Sequence, residues 1–265
     1  MMTPQNLHGA SGQVGLLAGK VALVVGGSRG IGAATARAFA DAGATVALAA
    51  RDAVALDGVA RAIRDAGGQA LAIPTDVSDP TAVARLVTRT LDAYGRLDAA
   101  FNNAAGGGRP PTPLAELPLE DYDSALAITL RGVFLAMKYE IPALLHSGGG
   151  AIVNMASTAG LSGVRGMAAY VASKHGVIGL TKTAALDYAT RNIRVNVVAP
   201  GPILTDRLKA LSDDGRAQIA QAVPMRRIGL PEEVAALVVW LCSDQAAFMT
   251  GATLTIDGGR LSGGA

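Results

Sequence analysis

The feature that most constrains this chain is an alternation, running from about residue 20 to residue 256, of short apolar runs rich in β-branched residues with longer stretches of helical periodicity. KVALVV (20–25) passes directly into GGSRGIG (26–32), and a helical pattern follows from near Ala33. Further strands are expected at Thr45–Ala50, Leu71–Pro74, Leu97–Asn102, 151–156, Arg194–Val198 and Thr253–Ile256. Helices are expected up to Gly67, over 81–94, over 120–146, around Tyr170 and from Pro231 to Ser243, with a looser segment from Pro202 to Pro224. Strands that read as near-continuous apolar runs are buried on both faces, and strands separated by helices pair in parallel. The expected class is therefore α/β: a single doubly wound parallel sheet of about seven strands, with helices on both faces. Such sheets bind ligands beyond the carboxyl ends of their strands, and the unusual motifs of this sequence fall at those ends.

A chain of 265 residues, half of them hydrophobic, has ample surface to bury in one core. Residues 1–17 read as a flexible extension and 18–265 as one dinucleotide-binding and catalytic domain. The 23 basic and 21 acidic residues form no block or stripe of one sign, which argues against nucleic acid or an anionic membrane as partner. No run of eighteen apolar residues is present, and the N-terminus lacks the pattern of a signal peptide. Cys242, the one cysteine, sits in an apolar helical pattern. A reducing, cytoplasmic setting is expected. His8, His146 and His175 show no metal-ligand spacing, so no metal site is expected.

Gly26, Gly30 and Gly32 lie between a strand and a helix, where a tight turn and close backbone approach call for residues without a β-carbon. Amides at that turn face the helix N-terminus, a natural seat for a pyrophosphate. The second strand of such a unit ends near the adenosine ribose, where a carboxylate bonds a free 2′-hydroxyl and an arginine accommodates a 2′-phosphate. Here Ala50 is followed by Arg51, and Arg29 stands inside the glycine turn. These two guanidiniums favour NADP. Asp52 keeps NAD as the alternative.

Tyr170 and Lys174 are four residues apart in a helical stretch, so their side chains leave one face and reach a common ligand. Ser157 follows the strand at 151–156 and stands at its carboxyl end. A free tyrosine titrates near ~10, and a neighbouring ammonium favours the phenolate. That makes the phenol a workable proton donor or acceptor, while a serine hydroxyl supplies a hydrogen bond where charge develops on oxygen.

Taken together, GGSRGIG (26–32), Asp76–Val77, NNAA (102–105), Ser157, YVASK (170–174), PGPILT (200–205) and TGATLTIDGG resemble the short-chain dehydrogenase/reductase family over Lys20 to Gly259. The resemblance implies a Rossmann-type fold and an NAD(P)-dependent oxidoreductase acting on a carbonyl or secondary alcohol. It implies Tyr170 as general acid or base, Ser157 polarising the substrate oxygen, and Lys174 holding the nicotinamide ribose while lowering the phenol's pKa. Gly26, Ser28, Arg29, Gly30, Ile31 and Gly32 would cradle the pyrophosphate end, and Arg51 the ribose beyond it. Asp76 and Val77 would meet the adenine and Asn103 and Ala104 the neighbouring ribose, with Pro200, Gly201, Ile203 and Thr205 at the nicotinamide. It also implies a homotetramer joined through the two long helices and the C-terminal strand, for which Ala168, Ala169, Ala172, Gly176 and Gly179 allow close approach.

Three positions depart from the family pattern. Thr129 replaces the asparagine expected in a proton relay with the lysine, and one hydroxyl cannot reproduce an amide's separate donor and acceptor. Val25 replaces a threonine and Ala105 a glycine, and an apolar contact between Val25 and Ala104/Ala105 is expected in place of a hydrogen bond. The segment 202–225 is read as a substrate lid, with Leu204, Leu208, Leu211, Ile219 and Val223, joined by Met155, Leu161 and Met167, lining a pocket for a mostly apolar ketone. GGGRPPTP (106–113) is expected near the same mouth, with Arg109 as a contact for an anionic group. A nucleotide-binding regulator and a non-redox enzyme on the same fold are the competing readings.

Overall fold

The structure is a computed structural model that describes residues 15–106 and 111–263. Seven strands, β1 (Val21–Val25), β2 (Thr45–Ala50), β3 (Ala70–Pro74), β4 (Ala99–Asn102), β5 (Gly150–Met155), β6 (Ile193–Pro200) and β7 (Thr253–Ile256), form one parallel sheet in the order β3-β2-β1-β4-β5-β6-β7. Between them run α1 (Gly30–Asp41), α2 (Ala53–Asp65), α3 (Pro80–Tyr94), α4 (Leu119–Leu126), α5 (Gly132–His146), α6 (Ala168–Tyr188), α7 (Asp206–Lys209), α8 (Asp213–Gln221) and α9 (Pro231–Cys242).

Strand side chains alternate between two apolar layers, as the two-residue period of a strand requires. Ala22 and Val24 pack with Phe39 of α1, Leu56 of α2 and Val238 of α9. Leu23 and Val25 pack with Leu86 of α3, Val133 of α5 and Val177 of α6. Both faces are thus covered, which is why every strand reads as an apolar run. Cys242 lies fully inside the first layer, and burial pushes its thiol up to about 12. Val25 pairs with Ala49 on one side and Asn102 on the other. The chain order therefore reverses between β1 and β4, and a crevice opens at their carboxyl ends.

Local chemistry sets the helix starts. Asp52 caps α2 by accepting from the Ala55 amide (3.0 Å), and Asp79 caps α3 through the Thr81 amide (2.8 Å) with Pro80 as its first residue. Helix α1 is different. Its N-cap, Arg29, makes no capping bond and its first turn holds no acidic residue, so its leading amides face the crevice without a partner side chain.

The structure revises three boundaries. The helix expected over 120–146 is α4 and α5 joined by a π-helical turn at Ala127–Arg131. Fully buried Thr129 sits in that turn, its hydroxyl accepting from the Gly106 amide (3.1 Å) and donating to the Gly106 carbonyl (3.4 Å). A wider turn accommodates a side chain tied to a neighbouring loop. The looser segment Pro202–Pro224 contains α7 and α8, the latter capped by Ser212 on the Gly215 amide (3.2 Å) with Asp213 and Asp214 in its first turn. Leu17, assigned by sequence to the extension, is fully buried in the first apolar layer, and its amide donates to the Ala42 carbonyl (2.9 Å). Residues 1–14 lie outside the described residues, as does Arg109.

Candidate active site

A cleft of about 1310 Å³ runs along the carboxyl ends of the central strands. At one end it is walled by Gly26, Ser28, Arg29, Gly30 and Ile31 of the glycine turn, and by Arg51 after β2. Val77, Asn103 and Ala104 form its floor; Pro200, Gly201, Ile203 and Thr205 line its far wall, and Ser157, Tyr170 and Lys174 close the other end.

The glycine turn is tight because its neighbours leave no room. Gly26 has φ +88°, and a β-carbon there would stand 2.7 Å from the Ala104 amide nitrogen. On Gly32 a β-carbon would stand 2.0 Å from the Gly26 carbonyl. The Asn103 side-chain amide donates to that same carbonyl (2.9 Å), tying β4 to the turn. The Val25 carbonyl accepts from both the Asn103 and Ala104 amides (2.9 and 3.0 Å). Ala104 also packs against the layer that holds Val25.

At the end of the cleft beyond β2, Asp52 is committed. One oxygen caps α2 and the other accepts from Arg29 (3.1 Å). Arg51 is exposed to the cleft with no ion pair among the described residues. The Arg29–Asp52 pair is itself mostly exposed and of the kind that contributes about 1 kcal/mol or less.

At the other end, Ser157 precedes a 3₁₀ turn and its hydroxyl accepts from the Ala159 amide (3.2 Å). It also stands close enough to the Tyr170 phenol to favour its ionised form. Lys174 is fully buried; its ammonium donates to the Met155 carbonyl (2.7 Å) and lies 5.7 Å from the centre of the Tyr170 ring. Burial brings the Lys174 amine down to about 7. Burial likewise raises the Tyr170 phenol above its ordinary value, opposed by the Ser157 hydroxyl and by the positive charge of Arg207. The acidifying influence expected of Lys174 meets an opposing one here, since burial of the phenol is the leading cause. In this state the lysine is close to losing its own charge, and Tyr170 is held protonated.

Three expected site residues stand back from the cleft. Gly32 serves close packing under the turn. Asp76 turns its carboxylate onto the Ser78 amide (2.9 Å) and hydroxyl (2.7 Å), which hold it below the usual carboxylate range. Thr129 commits its hydroxyl to Gly106, with no bond to Lys174. Of the expected apolar contacts, Met155, Met167, Leu208 and Ile219 line the cleft, whereas Leu161, Leu204, Leu211 and Val223 do not. Val223 is instead buried. The sequence reading missed Arg165, Arg207 and Arg260, which line the same cleft, Arg207 near Tyr170. They come from three separate segments, and no motif joins them.

Among the described residues no group of three or more His, Cys, Asp or Glu side chains is placed to hold a metal, and no helix is long and apolar enough to cross a membrane.

A family model described as enoyl-(acyl carrier protein) reductase matches residues 25–260. The chain belongs to the short-chain dehydrogenase/reductase family. This dehydrogenase/reductase is 42% identical over 250 residues to the A-factor type gamma-butyrolactone 1'-reductase (1S-forming) of Streptomyces virginiae, covering 92% of this chain and 96% of that one. It is 44% identical over 240 residues to the cis-4-hydroxycyclohexanecarboxylate dehydrogenase of Sinomonas cyclohexanicum, covering 91% and 96%. The crystal structure of levodione reductase superimposes with a TM-score of 0.89 at 34% identity, covering 94% of this chain and all of that one. Membership makes this an oxidoreductase and implies a nicotinamide dinucleotide. The residues present fit one: the uncapped start of α1, free of acidic side chains, offers an anion site beside the glycine turn.

Proposed function

We propose that the protein transfers hydride between NADP and a carbonyl compound or its secondary alcohol, with Tyr170 as the group that gives or takes the proton. The observation that carries this reading is that Ser157, Tyr170 and Lys174 open into the same cleft as the uncapped N-terminus of α1. When bound, the dinucleotide supplies or accepts the hydride at its nicotinamide ring. Gly26, Ser28, Gly30 and Ile31 would hold its pyrophosphate, Val77 the adenine, and Asn103 and Ala104 the ribose. Pro200, Gly201, Ile203 and Thr205 would orient the nicotinamide. Thr205 begins α7 without using its side chain as a cap, so its hydroxyl is available to the cleft.

In the reducing direction the protonated phenol is the starting state that general acid catalysis needs. Tyr170 donates its proton to the substrate oxygen as negative charge grows there, and the Ser157 hydroxyl donates a second hydrogen bond to the same atom. The phenolate left behind is stabilised by Lys174, which takes up a proton readily because its pKa lies near neutrality, and by Arg207. Arg51, and Arg29 released from Asp52, favour a 2′-phosphate.

Met155, Met167, Leu208 and Ile219 present apolar surface to the substrate, and 202–225 serves as its lid. A small, mostly apolar ketone or secondary alcohol suits these walls. Arg165, Arg207 and Arg260 add tolerance for an anionic group, in keeping with a relative named for a hydroxycyclohexanecarboxylate. A homotetramer follows from family analogy and from an apolar groove of about 640 Å³ between α4, the π turn and α6 that includes Leu126, Leu130, half-exposed Phe134, Gly176 and Gly179.

The test is to incubate purified protein with NADPH or NADH and a panel of cyclic ketones and the corresponding alcohols, following the absorbance of the reduced nicotinamide. Turnover with NADPH supports the reading. Tight dinucleotide binding without turnover of any substrate would overturn it.

A further inference from the structure

Beneath the cleft lies a chain of buried polar side chains that no step above uses. Thr181 of α6 donates its hydroxyl hydrogen to the Val177 carbonyl (2.8 Å), so it receives the Asn154 side-chain amide (2.9 Å). That orientation turns Asn154 Oδ1 toward β4, where it accepts from Asn102 Nδ2 (3.0 Å). The same Asn102 nitrogen donates to Glu140 Oε2 of α5 (3.0 Å). All four side chains are essentially inaccessible to solvent.

Two acceptors in this chain have no partner: Asn102 Oδ1 and Glu140 Oε1. They are the amide oxygen of Asn102 and the second carboxyl oxygen of Glu140, on the two groups already joined by the Asn102 to Glu140 bond. A buried acceptor left unpaired costs about 1–3 kcal/mol, more if charged. A single proton on Oε1 removes both faults, because a carboxylic acid and a primary amide pair through two parallel hydrogen bonds: N–H to one acid oxygen and O–H to the amide oxygen.

We infer that Glu140 is a positioning residue that works as a neutral carboxylic acid, its Oε1 hydroxyl donating to Asn102 Oδ1, and thereby fixes the carboxyl ends of β4 and β5. Asn102 is followed by Asn103, whose side chain holds the Gly26 carbonyl of the glycine turn. Asn154 is followed by Met155, whose carbonyl holds the Lys174 ammonium. One buried acid therefore links the dinucleotide end of the cleft to the catalytic end.

The surroundings agree. Burial is the leading influence on the carboxyl, taking it up to about 7, with the Asn102 hydrogen bond opposing, and no cation contributes. Arg85, Arg89 and Asp92 of α3 and Lys182 and Asp187 of α6 are exposed, Asp98 is paired with Arg96 at the other end of β4, and Lys174 bonds Met155.

The experiment compares wild type with Glu140→Gln, a neutral isostere that keeps one donor and one acceptor, and with Glu140→Leu. Infrared spectra of the wild-type protein below neutral pH are expected to show a protonated-carboxyl stretch that E140Q lacks. The wild-type urea midpoint is expected to fall from about pH 5 to about pH 8 relative to that of E140Q, since a carboxyl with a raised folded-state pKa loses its contribution as pH rises. These two readouts do not depend on the cofactor reading. Affinity for NADPH is expected to stay within about threefold in E140Q and to weaken about tenfold in E140L. Loss of wild-type affinity above neutrality that E140Q removes marks positioning as distinct from bulk stability. The inference is overturned if E140Q binds NADPH as poorly as E140L, or if wild type shows no protonated-carboxyl band that the substitution abolishes. If E140L does not fold, the E140Q comparison alone decides.

Discussion

Lys174→Met should leave the nucleotide-free protein inactive yet more stable. The side chain is fully buried and its amine falls from the ordinary 10.5 to about 7. At roughly 1.4 kcal/mol per tenfold change in proton affinity, that fall corresponds to about 5 kcal/mol of folding free energy forgone at neutral pH. Methionine matches the length of the stem but carries no charge. Against the gain stands the Met155 carbonyl, left without its 2.7 Å partner at a cost of about 1–3 kcal/mol. A net stabilisation of about 2–4 kcal/mol follows. Between about pH 7 and 10.5 the unfolded chain holds the proton that the folded chain has lost, so wild-type stability rises with pH across that window and K174M should not share the rise. Glu140 acts in the opposite direction below neutrality, so wild-type stability should pass through a minimum near pH 7. Urea unfolding at a series of pH values, without nucleotide, reads all of this. An unchanged pH slope in K174M, or a variant less stable than wild type at neutral pH, would refute the claim that this lysine is held against its solvation preference.

Other outcomes follow from the same geometry. Arg51→Ala should weaken use of NADPH relative to NADH by about 10–100-fold in kcat/KM, the effect of losing a charged hydrogen bond of about 1.5–3 kcal/mol; an unchanged ratio would place the 2′-phosphate elsewhere. Thr129→Asn should raise turnover if the longer amide reaches Lys174, which the threonine hydroxyl, tied to Gly106, does not bond, and a dead or unchanged variant would sink the relay idea. Gly32→Ala should abolish dinucleotide binding, because its new β-carbon meets the Gly26 carbonyl at 2.0 Å; titration of NADPH fluorescence measures it. Phe134→Glu should convert a tetramer to smaller species in sedimentation velocity if the groove beside α4 and α6 is an interface.

Much of this architecture was legible because a doubly covered parallel sheet writes itself as repeated apolar runs, and each glycine turn or strand-end motif marks a carboxyl end. Ser157 was legible as the residue after the strand at 151–156, and Tyr170 with Lys174 from their four-residue spacing on one helix face. Other features arise from contacts far apart in sequence. The π turn carries Thr129 onto Gly106, and the arginines at 165, 207 and 260 line one cleft from three separate segments, one of them α7. The protonation of Tyr170 and Lys174 depends on burial, which spacing does not encode. Glu140 did leave a trace: it shares the buried face of α5 with Met137 and Leu144, where a carboxylate on an apolar stripe calls for a partner. Asp76 gives one carboxylate oxygen to its own turn, as an aspartate two residues before a serine readily does, and spacing alone did not show that.

The most direct test is the pre-steady-state rate of NADPH oxidation by a reducible ketone in wild type and Tyr170→Phe, with NADPH affinity measured alongside. Phenylalanine keeps the ring packed over Lys174 and removes only the proton. The account predicts that NADPH binds nearly as before while the rate falls by about 10²–10⁴-fold. A Tyr170→Phe enzyme as fast as wild type would contradict it.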